Sequence, residues 1–291
     1  MPGKLASPIN KYREQLVNKN ALRGVDTLDV VYASNGIGWE SSIMADTTST
    51  GEQAHHVYRL GSGKTWLQTV PLRISSRCEL MGAEYASDSY PATIQQVPGA
   101  DGASQFDNWP ASNVLTYGTG QTYKLHNLLF NGAMADGSGS TFGVLATYGE
   151  DNTIVVDHIT SVHSQVITYF NFGQREDWTI TNCTAVQYTC YPAGMYFGGF
   201  FWGGGSWGGT LTSLYVANNT IEGAHANPFV IWTGPGIGQP GASPAIITHN
   251  TIVNTVDQIK FPRDANNTLW PNNLIVNAKS QGQTVNAAKT T

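Results

Sequence analysis

Few side chains in this chain are equipped for chemistry. Its 291 residues include 15 Lys+Arg, 20 Asp+Glu, 7 His and 3 Cys, and only 12% are charged. An average soluble domain is about 25% charged. Glycoside hydrolysis needs two carboxyl groups roughly 5–10 Å apart. Between positions 121 and 278 the acids are Asp136, Glu150, Asp151, Asp157, Glu176, Asp177, Glu222, Asp257 and Asp264. No D-D or D-x-x-D cluster recurs among them. The best catalytic candidates are Glu176 and Asp177 beside Arg175, with His163, and then Glu222. The competing reading is a set of solvated loop residues.

Other motifs are weaker. Gly61-Ser62-Gly63-Lys64-Thr65 resembles a phosphate-binding loop, but Tyr58 stands where that loop needs glycine and a strand-like run follows instead of a helix. A turn between strands is the better account. Gly204-Gly205-Ser206-Trp207-Gly208 matches a nucleophile elbow only formally, because no strand–turn–helix context surrounds it. His55 and His56 are adjacent and would face opposite sides of a strand. His126, His158 and His249 fall in Asn-rich doublets. No zinc-type spacing appears, so no metal and no cofactor is expected. Cys78, Cys183 and Cys190 are too few for a disulfide framework, although Cys183 and Cys190 could pair.

The segment 191–209 is unusual. Tyr191, Tyr196, Phe197, Phe200, Phe201, Trp202 and Trp207 lie among glycines there. Glycine permits close backbone approach, and the aromatics carry large apolar area. Three readings stand side by side: a flap folded on its own wall, a subunit interface, or a sugar-stacking platform. Trp232 opens a second such loop.

The elements that must position these residues are short and β-like. Gly, Thr, Asn, Val and Ile abound while helix formers are scarce, which argues against a mostly helical chain. No apolar run reaches the ~18–20 residues of a membrane helix. Ser7-Pro8 marks a helix start, and Ile9, Tyr12 and Leu16 share one face of an amphipathic helix over 8–22. From Val25 onward come short runs at 28–32, 56–60, 65–70, 72–74 and 79–81. After Lys124 a motif recurs in which apolar residues flank a polar doublet. It reads Leu125-His126-Asn127, Val156-Asp157-His158, Ile180-Thr181-Asn182-Cys183, Ala217-Asn218-Asn219, Thr248-His249-Asn250 and Pro271-Asn272-Asn273. Taking 127, 158, 183, 219, 250 and 273 as equivalent gives intervals of 31, 25, 36, 31 and 23. A floor near 23 with irregular additions predicts a coil of constant circumference bearing variable loops, that is, a solenoid. Strands of ~4–6 residues favour a parallel β-helix, with turns stacked about 4.8 Å apart. The doublets then form corner ladders, which include Asn127, His158, Asn182, Asn219, Asn250 and Asn273. Asn suits such corners because it tolerates the left-handed backbone region and its amide can bond a stacked neighbour.

These corners, the irregular period and the segment Pro71-Leu72-Arg73-Ile74-Ser75-Ser76-Arg77-Cys78-Glu79-Leu80-Met81-Gly82 resemble the right-handed, pectate-lyase-like β-helix superfamily, including phage tailspikes. The resemblance implies an all-β, single-stranded right-handed parallel β-helix with a short N-terminal helix or arm. It divides the chain into a basic arm over 1–24, a β-helix domain over 25–279 with regular coils from about 66, and an extended tail over 280–291. Members include polysaccharide lyases, glycoside hydrolases, virion spikes and non-catalytic adhesins, so fold does not settle function. The calcium-binding carboxylate cluster and neighbouring Arg or Lys base of the lyases find no counterpart here, and no family catalytic residue carries over.

The expected function is therefore a non-catalytic structural or adhesive virion component, either a phage capsid decoration protein or a spike. The alternatives are a polysaccharide lyase or glycoside hydrolase, and a glycan-binding adhesin. Lys4, Lys11, Arg13, Lys19 and Arg23, against Glu14 alone, make the arm basic on an otherwise acidic body, a pattern suited to anchoring on other virion proteins. A homotrimer is expected, with a glycan as an optional partner. Nucleic acid and membrane insertion are not expected. The N-terminus lacks the apolar core of a signal peptide, so the expected location is a virion surface after synthesis in a host cytoplasm, with an extracellular location as the alternative.

Overall fold

The computed structural model describes residues 26–84, 91–97, 112–133, 135, 143–163, 167–186, 199–203, 209–223, 229–231, 245–254, 268–269 and 271–276. The arm over 1–24, the helix expected at 8–22 and the tail over 280–291 lie outside them.

The described chain is nearly all β, and every pairing between its strands is parallel. After β1 (Thr27–Asp29) comes a short helix, α1 (Trp39–Ala45). The first circuit is β2 (Val57–Leu60), β3 (Thr65–Gln68) and β4 (Leu72–Ile74). The second is β5 (Cys78–Gly82), β6 (Ala92–Gln96) and β7 (Ser112–Thr116). Two circuits follow in which one long strand bends across a corner: β8 (Thr122–Asn131) with β9 (Gly143–Thr147), then β10 (Thr153–Val162) with β11 (Ile167–Asn171). Next come β12 (Glu176–Thr181), β13 (Thr184–Val186) and β14 (Gly199–Gly203). β15 (Leu211–Ala217), β16 (Thr220–Glu222) and β17 (Phe229–Ile231) repeat that pattern. The described strands end with β18 (Ala245–Thr248), β19 (Thr251–Val253), β20 (Thr268–Leu269) and β21 (Leu274–Val276).

Three columns result. One runs β1-β2-β5-β8-β10-β12-β15-β18-β20, and a second runs from β3 through β6 and the far halves of β8 and β10 to β13, β16, β19 and β21. The third is β4-β7-β9-β11-β14-β17. Strand alternation then places like on like. Tyr58, Leu80, Leu125, Val156, Ile180, Val216 and Ile247 are successive partners in the first column, and all are buried. Trp66, Ile94 and Phe130 begin the equivalent stack in the second column, and Leu72, Val114, Leu145, Tyr169 and Phe201 form it in the third. Each buried aliphatic side chain contributes roughly 1.5–3 kcal/mol, so the interior holds the circuits together.

At the start of the stack, α1 lays Trp39 and Ile43 over the interior, with the Trp39 and Trp66 rings 6.4 Å apart. Buried Glu40 accepts hydrogen bonds from the Thr69 backbone N–H at 2.8 Å and from its hydroxyl. No helix is expected there from the sequence, whereas the strands at 57–60, 65–68, 72–74 and 78–82 lie within about two residues of the expected runs at each end. Residues 61–64 turn between β2 and β3, with Gly63 at φ 67°, so the Gly-Ser-Gly-Lys run opens no helix. His55 pairs with Asp46 at 2.7 Å and His56 pairs with Asp26. Cys78 and Cys183 are buried free thiols, and burial pushes the Cys183 thiol up to about 12. Cys190 lies outside the described residues. Among the described residues no helix is long and apolar enough to cross a membrane.

Candidate functional site

The corner between the first and second columns carries the Asn/His doublets. Its left-handed residues are Asn127, His158, Asn182, Asn218, His249 and Asn272, all with φ between 53° and 59°. This corrects the alignment read from the sequence. The register pairs Thr160 with Thr184, so the second interval is 24 residues and not 25. Asn127, His158 and Asn182 therefore occupy the outer column, whereas Asn219, Asn250 and Asn273 occupy the next position, where Leu128 and Ile159 stand in the earlier circuits. The inner asparagines form a continuous ladder. Asn219 Oδ1 accepts from Cys183 N at 2.9 Å, Asn250 Oδ1 from Asn219 N at 3.0 Å, and Asn273 Oδ1 from Asn250 N at 2.9 Å. Each inner amide also donates to the main chain of the preceding circuit: Asn219 to Ile180 O, Asn250 to Val216 O and Asn273 to Ile247 O.

One section of this corner is different. Asp157 is buried, and its Oδ1 accepts from Thr181 Oγ1 and Asn182 Nδ2, both at 2.8 Å. Its Oδ2 lies 2.9 Å from His158 Nδ1 and 3.3 Å from His126 Nδ1. One potential ligand atom from each of the three side chains lies within 4.8 Å of the other two. The linear spacing hid this group, because a whole 31-residue circuit separates His126 from Asp157.

The proposed catalytic residues are not brought together. Glu176 is wholly buried at the corner between the third and first columns. It accepts hydrogen bonds from the Thr147 hydroxyl at 2.5 Å, Asn152 Nδ2 at 3.0 Å and Trp178 Nε1 at 3.1 Å. Desolvation raises its pKa above the ordinary carboxylate range. Asp177 accepts from Ser213 at 2.5 Å. His163 directly follows β10 and Glu222 ends β16, on the side of the second column, with His163 N donating to Val186 O. Arg175 bridges Asp151 at 2.8 Å and Glu150 at 3.0 Å, and holds the Asp151 carboxyl below its usual range.

The third column carries a row of aromatic rings. Phe200 and Phe201 are buried in the core against Tyr169 and Trp178, as in the reading of this segment as a flap on its own wall. Trp202 points to the other side. There, Leu115, Ala146 and Phe170 form a second apolar cluster, with Tyr148, Phe172 and Trp202 packed on it. The rings make one stacked series: Tyr117–Tyr148 at 5.2 Å, Tyr148–Phe172 at 5.3 Å, Phe172–Phe170 at 5.3 Å and Phe170–Trp202 at 6.0 Å. Tyr117 is 45% exposed at its end. Tyr191, Tyr196, Phe197, Trp207 and Trp232 lie outside the described residues.

A two-letter signal in the sequence underlies this stack. Tyr117-Gly118, Tyr148-Gly149 and Phe172-Gly173 recur one circuit apart. The glycines are required by close approach. A Cβ at Gly149 would sit 1.7 Å from Gly118 O, one at Gly209 1.5 Å from Gly173 O, and one at Gly173 2.3 Å from the Glu176 carboxylate. Packing of backbone on backbone at this corner brings the preceding aromatics into register.

No family model, curated protein or solved structure matches this chain.

Proposed function

We propose that the chain is a right-handed parallel β-helix of the pectate-lyase-like type, and that it acts as a non-catalytic structural and adhesive component of a phage particle surface. One observation carries this reading. The acids best placed for catalysis are engaged separately in structural bonds, Glu176 in the interior and Asp177 with Ser213, while Tyr117, Tyr148 and Phe172 stack along the third column, half-exposed at Tyr117 and partly buried beyond it. A hydrolase needs a protonated acid within reach of substrate. Among the described residues, the carboxyl group with the raised pKa, that of Glu176, is sealed from solvent. Stacked aromatics, by contrast, supply contact area of the kind that takes sugar rings or a second protein surface. In this reading the basic arm anchors the chain to other virion proteins, the chain forms a homotrimer, and the ring stack makes the adhesive contact.

The test is a pair of measurements on the full chain. Light scattering is expected to give three copies, and a reducing-end assay over acidic and neutral glycans is expected to give no release. Glycan cleavage abolished by Glu222→Gln or Asp177→Asn would replace this reading with the lyase or hydrolase one. A monodisperse monomer with no affinity for particles would remove the structural role.

A further inference from the structure

We infer that His126, Asp157 and His158 form a binding site for one borderline divalent transition-metal ion of the zinc class, clamping two successive circuits at the outer corner. His126 belongs to one circuit and the other two ligands to the next. A tetrahedral ion with bonds of ~2.0–2.1 Å separates its ligand atoms by about 3.3 Å. The two observed Oδ2–Nδ1 separations, 2.9 and 3.3 Å, are already of that size. The two ring nitrogens lie within 4.8 Å of each other. The His158 side chain is 58% exposed, so solvent reaches the site.

The surroundings match what metal ligands require. A ligating carboxylate is usually oriented by donors to its second oxygen, and here Thr181 Oγ1 and Asn182 Nδ2 hold Asp157 Oδ1. That leaves Oδ2 shared between two imidazole nitrogens. A cation there displaces the two Nδ1 protons, one from each ring, to the far nitrogens or to solvent, and neutralises a carboxylate that is almost entirely buried. Two imidazoles with one carboxylate suit zinc, cobalt, nickel or copper better than calcium or magnesium, which take all-oxygen sets. Three protein ligands leave a fourth position for water.

The fold does not need this trio. The same corner is built from Thr181 and Asn182, from Ala217 and Asn218, and from Thr248 and His249 in other circuits, with no acid in any of them. Those circuits also supply substitutions that preserve the corner. His158→Asn reproduces the left-handed asparagine of its neighbours, and His126→Thr reproduces Thr181 and Thr248.

The experiment uses the full chain stripped with chelator and titrated with Co2+, whose visible spectrum reports tetrahedral coordination, followed by displacement with Zn2+. One ion per chain is expected. His158→Asn and His126→Thr should each weaken binding at least tenfold while keeping the wild-type melting temperature, and His249→Asn should leave it unchanged. The imidazole 15N spectrum of the unsubstituted chain reads the site without mutation, since Zn2+ should move the Nδ1 signals of two histidines. The proposal is overturned by an absence of stoichiometric binding, by folded variants that bind as tightly as wild type, by Zn2+ leaving every histidine signal in place, or by equimolar Ca2+ displacing Zn2+.

Discussion

Replacing Asn250 by alanine should damage the protein far more than replacing Asn218, although the two residues look interchangeable in the sequence. Asn250 is buried, and its Oδ1 accepts from both Asn219 N and Asn219 Nδ2, while its Nδ2 donates to Val216 O, Thr248 O and Asn273 Oδ1. Asn219 Nδ2 keeps Ile180 O as a second acceptor. Truncation therefore strands chiefly Asn219 N–H and takes a donor from the main-chain carbonyls Val216 O and Thr248 O, while Asn273 Oδ1 keeps the Asn250 N–H. Two buried unsatisfied groups at about 1–3 kcal/mol each give a loss of about 2–6 kcal/mol. With an unfolding entropy of roughly 2.1 cal/mol/K per residue, a loss of ~4 kcal/mol lowers the melting temperature by about 6–7 °C. Asn218 is exposed and left-handed at φ 59°. Alanine there costs only the ~1–2 kcal/mol of that backbone region, about 2–3 °C, and Asn218→Gly should be neutral to within about 0.5 kcal/mol. Circular-dichroism melts of the three variants read the difference. An Asn218→Ala loss equal to or above that of Asn250→Ala would refute the division into inner and outer columns.

Three further outcomes follow from the same geometry. Gly149→Ala drives a Cβ to 1.7 Å from Gly118 O, so its soluble yield and melting temperature should fall sharply, whereas Gly51→Ala, with open space but φ 84°, should cost only ~1–2 kcal/mol. Glu176 has a native pKa raised above its ordinary value of 4.5, so the folded state holds its proton more tightly than the unfolded one. Stability should then fall as pH rises from about 4.5 through the raised native value, and Glu176→Gln should flatten that slope in pH-dependent melts. Tyr117→Ala removes the half-exposed end of the ring stack, so it should shift the melt by less than about 1 kcal/mol while weakening adhesion to particles or glycan arrays.

The nearly all-β, parallel character of the fold was legible because the strongest physical signals were local. Apolar residues flanking each doublet, such as Val156 and Ile159, must face inward, and Asn in a tight corner reports a left-handed backbone. The register was harder to read. His126-Asn127 and Asp157-His158 resemble Asn218-Asn219 in composition, but their shared feature is a backbone angle, and the inner position holds Leu128 and Ile159 where later circuits hold asparagine. The candidate site was least legible. The dense aromatics of 191–209 are the conspicuous feature of the sequence, and of these Phe200 and Phe201 are core. The surface stack arises instead from Tyr117, Tyr148 and Phe172, each marked only by the glycine that follows it. The His126–Asp157–His158 group was invisible because its proximity depends on one full circuit of chain.

The most direct test of the account is whether equivalent residues of successive circuits lie one above another. Glu79, Lys124, Val155, Thr179, Tyr215 and Ile246 are register partners on the first column. Spin labels at Glu79 paired with labels at Thr179 and at Ile246 should lie about 14 Å and about 24 Å apart, three and five strand spacings of ~4.8 Å. Separations that fail to grow in proportion to the number of circuits would contradict the stack and every role assigned to its corners.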